Sequence, residues 1–149
     1  MSAVDPLVLL ATPGSRCAGA EALAARGERS AFSLLLRAWL EAGEGEGVCL
    51  LRAMRALGPV EGTRDLFSGD GERRALAMVL AGLFPDDALL PLLDSALTDP
   101  DAEVRRHALR ALPLQIRTPA WRSLLERQAT ASDPAVRTAA ASLLAELAR

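Results

Sequence analysis

The feature that most constrains this chain is a sentence written twice. "TDPDAEVRRHALRAL", Thr98 to Leu112, is followed by "SDPAVRTAAASLLAEL", Ser132 to Leu147. Each copy reads Asp-Pro, then Val-Arg, then a run rich in Ala and Leu. Val104 and Val136 stand 32 residues apart, as do Cys17 and Cys49. A further step of 32 back from Val104 reaches Glu72, followed by Arg73-Arg74 as Val104 is followed by Arg105-Arg106. Self-similarity at such a period marks stacked supersecondary units. Each unit has an apolar face too wide to cover itself, so copies must pack on copies.

Composition decides what the units are made of. Half of the 149 residues are apolar but only 3% are aromatic, and Ile116 is the single isoleucine. Ala and Leu enter helices with little loss of side-chain freedom, whereas strand-favouring residues are scarce. Pro and Gly cut the chain into segments of helix length. These predict ten helices: Pro6 to Thr12, Arg16 to Arg26, "AFSLLLRAWLEAG" with Ser30 as cap, "GVCLLRAMRALG", a weak "VEGTRDLFSG", "DGERRALAMVLAGL" capped by Asp70, "DDALLPLLDSAL" with Pro91 kinking it or marking its first turn, "DAEVRRHALRAL", "PAWRSLLERQA" and "DPAVRTAAASLLAELA". The length sets one domain, 1–149.

"LLPLLDSALTDPDAEVRRHALRAL" resembles a HEAT repeat of the bacterial type noted in phycobilin lyases. The resemblance rests on the apolar first helix, Asp99-Pro100, Val104-Arg105 and the Ala/Leu second helix. It is specific over about residues 86–149, where Asp133-Pro134 and Val136-Arg137 repeat the pattern, and rests on rhythm over 1–85. It implies an all-α fold, a short right-handed α–α superhelix of about five helix pairs. It also implies that Asp99, Arg105, Asp133 and Arg137 are architecture: the turn Asp caps the second helix, and the Arg after Val reaches toward a turn Asp to tie neighbouring repeats.

Residues capable of catalysis or metal binding are few. His107 is the only histidine, which excludes a His-based metal cluster and leaves a triad one candidate base. Cys17 and Cys49 lack the CxxC spacing of zinc or redox sites and cannot build a disulfide framework. They read as reduced, small buried hydrophobes in a cytoplasmic protein. "GEGEG", Gly43 to Gly47, follows no strand, and Glu44 and Glu46 would repel a phosphate, so it reads as a flexible inter-helix loop. The acidic pairs Asp86-Asp87 and Asp99/Asp101 suit helix starts, where carboxylates complement the dipole. Trp39 and Trp121 lie in apolar helices and read as core. Neither a cofactor nor a catalytic constellation is expected, and the chain does not read as an enzyme. The N-terminal run Leu7 to Ala11 is too short for a signal-peptide core or a membrane span.

Charge supplies the one functional expectation. All 17 basic residues are Arg, against 19 acids, for a net charge of −2. Such a balance does not draw in nucleic acid or an anionic membrane by a global field. The second helices carry ten Arg against four acids and the first helices five against nine. In a HEAT array the second helices line the concave face. The resemblance therefore implies a basic inner face, with Arg52, Arg55, Arg73, Arg74, Arg106 and Arg110 as candidate contacts. The expected function is a protein-binding scaffold or adaptor that grips an acidic segment of another protein. The alternatives are a nucleic-acid-binding HEAT-like protein, as among DNA alkylation glycosylases, and a non-catalytic lyase-type accessory subunit. The apolar "PLVLLA" either packs under "RCAGAEALAAR" or forms a contact surface.

Overall fold

The computed structural model describes residues 4–43 and 45–149. Among them the chain forms ten α-helices and no strand: α1 (Pro6–Ala11), α2 (Arg16–Arg26), α3 (Phe32–Glu41), α4 (Gly47–Leu57), α5 (Pro59–Phe67), α6 (Gly71–Leu83), α7 (Leu90–Ala96), α8 (Ala102–Ala111), α9 (Pro119–Gln128) and α10 (Pro134–Leu147). Short 3-10 turns precede α3 and α7 and follow α8. The chain divides into two compact units, Met1–Gly62 and Thr63–Arg149, with the division falling inside α5.

Local chemistry sets most boundaries. Asp5, Asp70, Asp101, Thr118 and Asp133 each accept a backbone N–H in the first turn of the following helix. That satisfies donors the helix itself leaves unpaired. Pro stands in the first turn of α1, α7, α9 and α10, where its missing N–H is harmless. Pro91 therefore marks a first turn and not a kink. Gly27 and Gly58 end α2 and α4 at φ 66° and 95°, a conformation that favours glycine. Ser30 does not cap α3: residues Arg29–Ala31 form a 3-10 turn that runs straight into Phe32. The stretch that reads weakest in sequence is a nine-residue helix, α5. Its Gly62 lets the Phe32 ring lie where a Cβ would come within 2.6 Å of Cδ1.

In the first unit α1 pairs with α2 and α3 with α4, while α2 packs on α4 and α1 on α3. Leu35, Leu36, Leu50 and Met54 fill its core. The "PLVLLA" helix both packs and projects. Pro6 and Leu10 are buried against α2, where Gly19 leaves no room for a side chain; Leu7 and Val8 remain exposed. In the second unit α7 pairs with α8 and α9 with α10, α6 packs on α8, and α7 on α9. Met78, Leu80, Leu93, Leu97, Leu112, Trp121, Leu124 and Leu125 are fully enclosed there. Each such side chain contributes about 1.5–3 kcal/mol by leaving water. Trp121 is core as its setting predicts, and its Nε1 donates to Leu112 O at 3.0 Å; Trp39 is only half-buried.

Candidate functional site

The three helices α6, α8 and α10 share a register set by their caps, Asp70, Asp101 and Asp133. Seven residues past each cap stands Ala77, Ala108 or Ala140, all fully buried. Four residues past each stands Arg74, Arg105 or Arg137. The guanidinium at this position turns back to the carbonyls just before its own helix. Arg74 Nη1 donates to Gly69 O at 2.9 Å. Arg105 Nη1 donates to Asp99 O at 2.7 Å and Pro100 O at 3.1 Å, and Arg137 Nη1 to Ala131 O at 2.8 Å. Turn carbonyls lack a helical partner, and a charged donor satisfies them.

This register corrects three sequence expectations. The residue matching Val104 in α6 is Arg73, not Glu72, so Arg74 is the counterpart of Arg105. Asp133 matches Asp101, not Asp99, and it is Asp101 that caps α8, accepting from Glu103 N at 2.8 Å. Arg105 and Arg137 bind backbone within their own turns and do not tie neighbouring repeats. The tie comes from Arg74, whose Nε and Nη2 donate to Asp99 Oδ2 and Oδ1 at 2.8 and 3.1 Å. Asp99 is 8% exposed and also accepts from Asp101 N at 2.9 Å. The Arg74 hydrogen bonds hold its carboxyl below the ordinary aspartate range, against the opposing effect of burial. A second set of ties links the other layer: Asp94 accepts from Gln128 Nε2 at 2.6 Å and from Arg127 Nη2 at 3.3 Å.

The first unit departs from expectation most sharply at its cysteines. Cys17 and Cys49 form a disulfide, with Cα atoms 5.5 Å apart, and both residues are half-buried. The reading of reduced, buried thiols is therefore wrong. The reason lies in the repeat: the 32-residue separation puts one position of α2 beside the same position of α4, where those helices pack. The inference of a reducing compartment from cysteine usage loses its basis.

The glycine-rich loop beside the disulfide supplies an anion instead of receiving one. Glu46 accepts from Gly14 N at 3.3 Å, Arg16 N at 3.1 Å and Arg16 Nη1 at 3.1 Å, binding the start of α2 to the start of α4. Burial pushes its carboxyl up, but those hydrogen bonds outweigh it, so its pKa lies below the usual value. Gly45 takes φ 100° on the way in; Glu44 lies outside the described residues. Sequence reading missed Glu46, although its separation of 30 from Arg16 is close to the repeat period.

The six candidate arginines divide. Arg74 is committed to Asp99 and Gly69. Arg55 also engages neighbouring groups. Arg106 pairs with Glu103 on the surface of α8, both side chains being more than half exposed. Arg52 on α4, Arg73 on α6 and Arg110 on α8 are exposed and have no ion-pair partner among the described residues. His107 lies half-buried between the guanidiniums of α8, and burial first, then Arg106 and Arg110, push its pKa down. Among the described residues no group of three His, Cys, Asp or Glu is placed to hold a metal, and no helix is long and apolar enough to cross a membrane.

A family model for HEAT repeats matches residues 70–145, just over half of the chain. The match opens on the α6 cap and closes inside α10, so it covers the stretch where the shared register was found. No curated protein sequence matches the chain.

Proposed function

Because the chain belongs to the HEAT-repeat family, we propose that it is a non-catalytic scaffold or adaptor that receives an acidic segment of another protein on the α6–α8 face. HEAT repeats generally mediate protein–protein interaction. The observation that carries the finer reading is Arg110. It is an exposed guanidinium on α8 with no counter-charge of its own, one turn from Arg106, whose partner Glu103 is equally exposed. Exposed ion pairs of that kind hold little energy, so Arg106 is available to a better partner at small cost. Arg73, on the helix packed against α8, adds a third exposed cation in the same unit. Arg52 is a candidate on the first unit. Arg74 is removed from the contact set because its guanidinium is already committed.

The test is a capture from the source organism's lysate with wild-type protein and an Arg106→Glu/Arg110→Glu variant of unchanged circular dichroism. The captured protein should contain an acidic segment, and its purified form should bind the variant at least about tenfold more weakly, with affinity falling as salt rises. A partner that binds both proteins alike would refute the arginine-face reading. Salt-dependent binding of a short DNA duplex by the wild type alone would replace it with the nucleic-acid alternative.

A further inference from the structure

In the second unit, large apolar side chains stand exposed at two positions only among the described residues: Leu114 and Ile116, each 57% exposed. They lie two residues apart in the turn between α8 and α9, and that turn is held on every side. Gln115, between them, is buried and donates through Nε2 to Ala81 O at 2.9 Å and Ala111 O at 3.0 Å. Arg117 Nη1 donates to Pro113 O at 2.7 Å and Gln115 O at 2.9 Å, and its guanidinium sits 4.4 Å from the centroid of the Trp121 ring. Thr118 Oγ1 donates to Asp87 Oδ1 at 2.8 Å. These bonds fix the backbone on both sides of Leu114 and Ile116, yet none of them uses either side chain. Leu114 rests on α6, where a Cβ at Gly82 would lie 3.1 Å from its Cδ1.

The turn continues α8. That helix passes through Leu112 into the 3-10 turn Leu112–Leu114. Arg106 and Arg110 share one face of α8, and the 3-10 turn sets Leu114 just beyond the C-terminal end of that helix. In chain order the surface reads basic, basic, then a pinned apolar pair.

We propose that Arg106, Arg110, Leu114 and Ile116 form one docking strip for an amphipathic helix of a partner protein, with two acidic residues one turn apart and a large apolar residue on the next turn. The proposal rests on the acidic-partner reading above and adds the anchor that reading lacks. The unopposed charge of Arg110 selects an acidic partner over a purely apolar one. Burial of Leu114 and Ile116 supplies the desolvated centre that dominates binding energy, while the arginines set approach and register. The pinned turn means that little ordering remains to be done on binding.

The probe is a displayed library of helical peptides selected on the whole protein, with affinities of the enriched peptides measured by fluorescence anisotropy. Enriched peptides should carry the acidic pair followed by an apolar residue. Their binding should weaken about tenfold or more with Leu114→Ser/Ile116→Ser and, separately, with Arg106→Glu/Arg110→Glu. Circular dichroism checks each fold, and Leu114→Ala replaces the serine pair if that variant misfolds. Weakening by the arginine variant alone would refute the composite strip and leave the acidic-partner reading standing. Enriched peptides without acids, weakened only by the apolar variant, would overturn both. Peptides indifferent to both variants would overturn the strip.

Discussion

Reducing the Cys17–Cys49 bond should loosen the first unit and leave the second untouched. The bond closes a loop of 32 residues, and cross-linking a loop of that length removes enough unfolded-chain entropy to stabilise the native unit by about 3.5–4 kcal/mol at 25 °C. Both cysteines lie near the starts of α2 and α4, the helices that Glu46 also binds together, so the effect should be read there. Native-state hydrogen exchange resolved by mass spectrometry measures it directly. On reduction, exchange in the protected core of α2 and α4 should accelerate by about 500-fold, or protection should vanish if the unit's total stability is smaller. Amides of α8 and α9 should not change. A Cys17→Ser/Cys49→Ser variant should show the faster rates from the outset and ignore reductant. Two titratable thiols in unreduced, unfolded protein would refute the reasoning at its root. A disulfide whose reduction leaves α2 and α4 equally protected would refute the energetic part.

Asp99→Ala should lower the thermal midpoint of the second unit by about 5–10 °C, because it strands the Arg74 guanidinium; calorimetry reads it, and Asp99→Asn should fall between. The folded pKa values of Asp99 and Glu46 are both depressed, so the stability they contribute is present above the unfolded carboxylate range. It should fade as pH drops below about 4 toward the folded values, and Asp99→Asn should flatten that decline in a urea-unfolding series for the second unit. Ala108→Leu should cost about 1–3 kcal/mol by overpacking a position with no exposure, whereas leucine at the exposed Ala145 should be near neutral in the same assay. Gly19→Ala places a Cβ 2.7 Å from Leu10 N and Pro6 O, so it should push α1 off α2 and expose α1 to proteolysis.

The candidate site was half legible. Arg106 and Arg110 share a helix face by spacing alone, and the structure leaves both at the surface. Arg74 sits in the same sequence context and is spent on Asp99, because a turn acid of the next repeat comes within reach of its guanidinium. Leu114 and Ile116 gave no sequence signal: isolated apolar residues near a proline look like core. Their exposure accompanies Gln115, which is buried and donates to carbonyls of α6 and α8, and Arg117, which binds the turn's own carbonyls.

The run of helices and most of their ends were written in the chain's local order. Those depend on neighbours along the chain: a carboxylate two or three residues before a free N–H, a proline in a first turn, a glycine able to take positive φ. α2 shows this at its C-terminal end, stopping at Arg26 before Gly27 as the sequence predicts, whereas its start is bound by Glu46 from 30 residues away. Which residues meet depends instead on how one repeat packs on the next. The ties Cys17–Cys49, Arg16–Glu46 and Arg74–Asp99 join positions 25 to 32 residues apart. Their choice hangs on the register of one repeat against the next. One residue of slip turns a helix by about 100°, which moves a side chain from a neighbouring repeat to the solvent. The step from α6 to α8 is one residue shorter than the step from α8 to α10. That single residue makes Arg74, and not Arg73, the counterpart of Arg105.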